Sequence, residues 1–430
     1  TLLALTFVIG AGLTLYLPAQ AASINELVGR EDLARAVALG AVAFNVARAV
    51  GPALAGGLAA WLGSGNALLA SGLFFVLMIV AMFRIEWPRQ ASRGLPETVF
   101  SGVLSGLRYA RHSPAMRSLI VRTASFSLCA SAFWALLPVI ARDQLQLGAG
   151  GFGLLSAGFG SGAILGALSI PGLVQARSLN YVVNGAMLLW LGAIALLAAT
   201  DIVALAIVSA CLGGAAWVAV LAGLSAGTQS SAPGWVRARA VSVNLVVMQA
   251  GLAAGSALWG AVAATAGIRA ALVASLATML VLLALSRRAR VAMGTEADVT
   301  PGAPLPELSI AVEPHPTDGP VLIQVGYRID AANRAEFLHA IHAVEPARRR
   351  NGASSWRVYR DLAEDGHYIE RFVIQSWAEY VRQRTRATMA DRELDARIQR
   401  LQRADVPIHV SRLIGIDRER EGLVEEARPV

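Results

Sequence analysis

The chain carries one stretch of sequence twice. Residues 34–73 align with residues 238–277 without a gap, at an offset of 204, with 17 identities in 40 positions. ARAV at 34–37 returns at 238–241, GPALAG at 51–56 returns as GSALWG at 255–260, and ALLAS at 67–71 returns as ALVAS at 271–275. Both copies lie in strongly apolar sequence. A parallel duplication of hydrophobic spans is the plan of two-lobed membrane proteins, with a site between the lobes.

Composition supports that plan. The chain is 55% hydrophobic and only 15% charged, far from ordinary soluble usage. The charge is clustered. Residues 1–290 hold 18 Arg and 7 acids, residues 291–319 hold 5 acids and no Arg, and residues 320–430 hold 19 Arg and 17 acids. The basic excess therefore lies in the apolar part, where it marks loops on the cytoplasmic face rather than nucleic-acid contacts. Cys129 and Cys211 sit in apolar runs and form no disulfide or zinc pattern. No phosphate loop, dinucleotide fingerprint or nucleophile elbow is present, which argues against an ATP-driven pump or a soluble enzyme. No cofactor is expected.

A span needs about 20 apolar residues. Nine fit, near 1–21, 37–60, 66–86, 119–140, 151–173, 180–199, 203–226, 239–263 and 268–286. Their loops sort by charge. The loops after the odd-numbered spans hold most of the arginines, including Arg84, Arg108, Arg177, Arg237 and Arg287, whereas the alternate loops hold Arg142 and Arg269. The first set is expected to be cytoplasmic, and the C-terminal part with it. By the repeat, spans one to three correspond to spans seven to nine, and spans four to six have no partner. The expectation is a parent of twelve spans, truncated at its N-terminus by roughly 90–110 residues.

Polar groups inside spans are costly and so are candidates for function. Span two holds Asn45 and Arg48, followed by Gly51-Pro52. Arg48 lies near the bilayer centre, where it either faces a water-filled cavity or caps carbonyls freed by Pro52. Asn45 matches Gln249 in the second copy, so both lobes place an amide at equivalent depth. Other cavity candidates are Phe126, Phe133, Trp134, Asn184, Trp217 and Asn244. Arg122 is expected to snorkel from the inner end of span four. Span five is dense in glycine, with Gly151, Gly153, Gly158, Gly160, Gly162 and Gly166, which lets helices approach closely and slide. No Asp or Glu lies deep in any visible span.

The rest divides by composition. Residues 1–87 read as the last three spans of an N-terminal lobe, and 88–117 as an interlobe linker. Within that linker Val99, Val103, Leu104 and Leu107 line one face of an interfacial helix. Residues 118–290 read as a six-span lobe, 291–319 as a flexible linker, 320–416 as a cytoplasmic α+β domain and 417–430 as a disordered tail. The α+β part predicts strands over 320–330, 355–362, 367–376 and 407–414, with helices over 332–350 and 378–403. The order β-α-β-β-α-β predicts a ferredoxin-like sandwich, a shape that often dimerises through its sheet. Glu336, His339 and His342 share a helix face, more simply solvated than metal-binding. Arg382, Arg384 and Arg386 read as a solvated face.

These residues carry a resemblance. REDLARAVALGAVAFNVARAVGPALAGG, GLRYARHSPAMR, ALLPVIARDQL and LGAGGFGLLSAGFGSGAILGAL, with QSWAEY and the strand-helix text VLIQVGYRIDAANRAEFLHAIHAVEPARRR, resemble the transmembrane secretion effector branch of the major facilitator superfamily. This branch is related to enterobactin exporters. Two motifs depart from it. Gly51-Pro52 is followed by Ala55-Gly56-Gly57, with one signature glycine replaced, and GLVQARSLN lacks the Asp of the family's loop motif. The resemblance implies an all-α polytopic membrane protein of the bacterial inner membrane. It also implies a non-enzymatic, proton-coupled exporter of small amphipathic molecules such as siderophores or drugs, working by alternating access. Its implied partners are the lipid bilayer, a small-molecule substrate and protons. Asn45, Arg48, Gly51 and Pro52 are the expected gating element. The alternatives are an uptake permease, or a membrane-tethered ligand-sensing or monooxygenase-like domain with His339, His342 and Tyr359 in a pocket under its sheet.

Overall fold

The computed structural model describes residues 61–84, 99–286 and 314–416 apart from residue 148, with isolated positions before 61 and residues 291, 294–302, 310 and 312. The chain divides into two compact units: residues 1–93, 118–227 and 244–292, and residues 94–117, 228–243 and 293–430.

The first unit is helical. Its helices are α1 (Ser64–Arg84), α3 (Pro114–Val139), α4 (Ala149–Ala176), α5 (Leu179–Ala199), α6 (Val203–Ser231), α7 (Arg237–Ala266) and α8 (Ile268–Leu285). Six apolar stretches among the described residues are long enough to cross a bilayer: 114–144, 151–174, 179–199, 203–231, 237–266 and 268–285. They coincide with the six spans read for residues 118–290. The third span is present as α1, and of the first two only isolated positions are described.

Local sequence sets the helix ends. Ser178 caps α5, its side chain accepting from the Tyr181 amide. Pro138 removes an amide near the end of α3, and the chain widens there into a π turn over Ile140–Gln144. Gln144 then donates to the carbonyls of Leu197 at 3.1 Å and Thr200 at 2.7 Å. This ties the end of α3 to the end of α5. Asp201, just after α5, and Arg269, in the first turn of α8, are joined by an exposed ion pair of 2.5 Å.

The second unit contains the ferredoxin-like domain and two shorter segments. β1 (Val321–Arg328), α9 (Arg334–Arg350), β2 (Ser355–Arg360), β3 (His367–Ile374), α10 (Trp377–Arg386), α11 (Met389–Leu401) and β4 (His409–Ile414) follow in chain order. The sheet runs β2-β3-β1-β4 and every pairing is antiparallel. This is the order expected for the split β-α-β arrangement. Alternation does the work: Val321, Ile323 and Tyr327 point inward, onto Phe337, Ile341 and Val344 of α9.

One expected helix is two. The stretch 378–403 breaks at Ala387, because Thr388 starts a new helix with a capping box. Its side chain accepts from the Asp391 amide while the Asp391 carboxylate accepts from the Thr388 amide. The 291–319 stretch is not free throughout. The Gly302 amide donates to the Ala387 carbonyl at 2.8 Å and the Met389 amide to Thr300 at 3.0 Å. Residues 417–430 lie outside the described residues.

The remaining element of this unit is α2 (Val99–His112). Its Ser105, Tyr109 and Ala110 are buried, whereas Val103, Leu104 and Leu107 are 41–58% exposed. The bare apolar stripe is the one the sequence assigned to an interfacial helix.

Candidate functional site

Helix α3 organises the membrane unit. Its adjacent Arg122 and Thr123 point to different helices. Arg122 Nη1 donates to Asn184 Oδ1 on α5 at 2.8 Å, and Thr123 Oγ1 donates to Asn244 Oδ1 on α7 at 2.8 Å. Arg122 is therefore not a snorkelling residue. It is 2% exposed and lies eight residues into α3, about 12 Å along its axis. Reaching the interface was unnecessary because α5 supplies an acceptor at that depth. Asn184 and Asn244 serve as interhelical acceptors, a role that polar residues commonly take in membranes.

One turn further along α3 the same helix supplies aromatics. Phe126, Phe133 and Trp134 meet Phe159 of α4, Trp190 of α5 and Trp217 of α6. Ring centroids are 5.5 Å apart for Phe126–Trp217, 5.7 Å for Trp134–Trp217, 4.6 Å for Trp134–Phe159 and 5.6 Å for Phe133–Trp190. Most pairs are edge-on or tilted, the preferred aromatic geometry. Phe126, Phe133, Phe159, Trp190 and Trp217 are buried, and Trp134 is half-buried. The four expected aromatics thus come together as the packed centre of the lobe, with Trp134 as its most open member. Phe159 and Trp190 were missed. Their only signal was an aromatic on a polar-poor helix, which says nothing about which neighbours it meets.

Glycines bring two helix pairs into backbone contact. A Cβ at Gly162 or Gly166 of α4 would overlap the α6 backbone at Cys211 or Ala215, and one at Gly214 would overlap the Phe159 carbonyl. Likewise Gly251 and Gly255 of α7 press on Ser127, Leu128 and Ser131 of α3. The Trp259 indole, one turn on, donates to the Leu128 carbonyl at 2.7 Å. Gly153, by contrast, has nothing within 4 Å. Only part of the glycine-rich run of span five is spent on close packing.

Asn45, Arg48 and Pro52 lie outside the described residues, and Gly51 is helical. Gln249 is exposed on α7.

The second unit holds a buried charge network. Glu370, fully buried, accepts from Arg348 Nε at 3.0 Å, Trp356 Nε1 at 2.8 Å and the Tyr327 hydroxyl at 3.0 Å. Arg348 also reaches Asp395 at 2.7 Å. Burial pushes the Glu370 carboxyl up, but Arg348 and the three donors outweigh it and hold it below the usual range. Burial first, and then the Glu370 charge, push Tyr327 well above an ordinary tyrosine. A carboxylate so satisfied is a structural anion rather than a proton acceptor.

The helix faces read as solvent-exposed are not all so. Arg386 is 5% exposed. It pairs with Glu379 at 2.7 Å and lies 4.3 Å from the Trp235 ring centroid. Glu379 also takes Arg382 at 3.0 Å and Arg108 of α2 at 3.4 Å. Tyr109 meets Trp235 edge-on at 6.0 Å and donates to the Ser231 carbonyl at 2.7 Å. Arg350 lies over the Tyr109 ring. Through these contacts α10 and the end of α9 hold both α2 and the 228–243 segment. His339 and His342 are exposed on α9, His342 edge-on to Trp356, and Tyr359 is 44% exposed. They do not share a pocket. Glu336 pairs with Arg397 at 3.3 Å.

Comparison with known proteins follows the same lines. The family model for transmembrane secretion effectors matches residues 1–420. Among solved structures, a bacterial homologue of the human lysosomal transporter Spinster is similar in two inward-facing states, unoccupied and occupied. Identity is 15% in each, the alignment covers 62% of this chain and 73% or 72% of the other, and the TM-scores are 0.41 and 0.42. No protein of curated function matches the sequence.

Proposed function

The chain belongs to the transmembrane secretion effector family, and on that premise we propose that this membrane transporter exports small amphipathic molecules by alternating access. The observation that carries the reading is the six-span lobe itself. Its α7–α8 portion aligns with residues 34–73, so a second lobe of the same plan is expected to face it. Export rather than uptake follows the family description. The cargo class follows the aromatic centre of the lobe, since rings take apolar bodies without demanding one shape.

Proton coupling belongs to the same proposal. Among the described residues, the six spanning stretches carry one acid, Asp143 at the very end of the first, and none deeper, so the coupling carboxylate is assigned to the N-terminal lobe. An inner-membrane location with the α+β domain on the cytoplasmic side follows the arginine-rich loops.

The test uses cells expressing the full chain and a panel of amphipathic dyes. Expressing cells should accumulate at least one dye less than controls. Trp134→Ala should reduce that export several-fold at equal membrane abundance. Equal accumulation of every dye would overturn the export reading, and greater accumulation in expressing cells would favour an uptake permease.

A further inference from the structure

The sheet of the α+β domain is covered unevenly. Helix α9 lies over its centre, and α11, turned away by the break at Thr388, packs chiefly on α9 through Ile398. Between α10, α11 and the β1–β4 half of the sheet a cavity of about 870 Å³ remains. This is the size of a small-molecule site. Its floor is apolar, built by Ile323, Val325, Phe372 and Val410.

Its charged lining is Arg348, Arg384, Arg392 and Arg412 against Glu393 and Asp395. Arg348 and Asp395 are engaged with each other. Arg412 donates to the Tyr380 hydroxyl at 2.7 Å, a neutral partner. Among the described residues no carboxylate lies within ion-pair distance of Arg392 or Arg412. The Arg392 Nε is moreover buried with no acceptor, so this guanidinium is under-satisfied. The lining therefore combines an apolar floor with uncompensated positive charge.

We propose that this cavity is a binding site for a small amphipathic anion, with an apolar body of one or two rings on the floor and a carboxylate at Arg392 and Arg412. The site is separate from the transport lobe and stands whether or not that lobe exports. Helix α10 lines the cavity with Gln383 and Arg384, and carries Glu379 and Arg386, which hold Arg108 and Trp235. An occupant thus rests on the helix that grips α2.

The experiment is hydrogen exchange on the full chain in zwitterionic nanodiscs, with 1-naphthoate as probe and 1-naphthylmethylammonium as its cationic counterpart. Naphthoate should slow exchange over residues 377–401, and the cation should not. The Arg392→Gln/Arg412→Gln variant should need at least about tenfold more naphthoate for the same protection. Val325→Trp, which fills the floor, should abolish the effect while β3 keeps its own protection. If β3 is exposed in Val325→Trp, the arginine variant alone decides. No protection by naphthoate at millimolar concentration, equal protection by the cation, or an unchanged response in the arginine variant would overturn the proposal.

Discussion

Glu370 and Arg122 pose the same problem, a charge taken out of water, and solve it differently. Glu370 is surrounded by three donors, so its charged form is the favoured one. A carboxyl held below its ordinary value stabilises the fold above about pH 4.3, and this support is lost as pH falls through the lowered value. Glu370→Gln should therefore flatten the acid limb of unfolding. At neutral pH it should cost about 3 kcal/mol, because Arg348 loses a buried partner. Urea unfolding of the full chain, followed by exchange of β3 from pH 3 to 7, measures both. An unchanged acid limb would show that other carboxylates set it. Arg122 was legible as a residue but not as a contact. Its place three residues into the span read as 119–140 favours snorkelling, and only the fold, with its helix starting at Pro114, brings Asn184 within 2.8 Å. The same holds for Phe126 and Trp217, which the sequence offered as cavity candidates, whereas their meeting with Phe159 and Trp190 depends on how four helices are rotated.

At the scale of elements, periodicity fixed most of what was readable. The six long apolar runs became six helices, and the alternation of β1 gave its inward face. The break in the second helix of the α+β domain was also written in the chain, as Thr388-Met389-Ala390-Asp391, but the continuous amphipathic pattern on both sides hid it. Packing seams were legible only as glycine density. Gly162→Leu drives a side chain into the α6 backbone, so it should lower the thermal stability of the chain in detergent by about 2 kcal/mol and reduce transport. Gly153→Leu, with open space around it, should do neither. Equal behaviour of the two would refute a close α4–α6 seam. The hold on α2 gives a further test. Trp235→Ala and Arg386→Ala should each raise exchange over 99–112, and their double-mutant cycle should give a coupling of about 1–2 kcal/mol. Full additivity would remove the cation–π contact from the account.

The whole molecule was most legible where the sequence repeats itself and least where function needs a second lobe. The duplication at offset 204 relates two membrane segments of one plan, whereas Asn45 and Arg48, the most polar expectations, lie outside the described residues. Sidedness is an expectation from arginine counts alone, and it can be measured. In a background of Cys129→Ala and Cys211→Ala, a cysteine at Leu362, which is 91% exposed, should react with an impermeant maleimide only from the cytoplasmic side. Labelling from outside would reverse the proposed orientation. The most direct test of export by alternating access uses the purified chain in liposomes under an imposed pH gradient, with amphipathic dyes that change fluorescence on crossing. The account predicts movement of at least one dye against its own concentration gradient, abolished by a protonophore and by Gly162→Leu but not by Gly153→Leu. Movement only down the dye gradient, or none above protein-free vesicles for any dye, would contradict it.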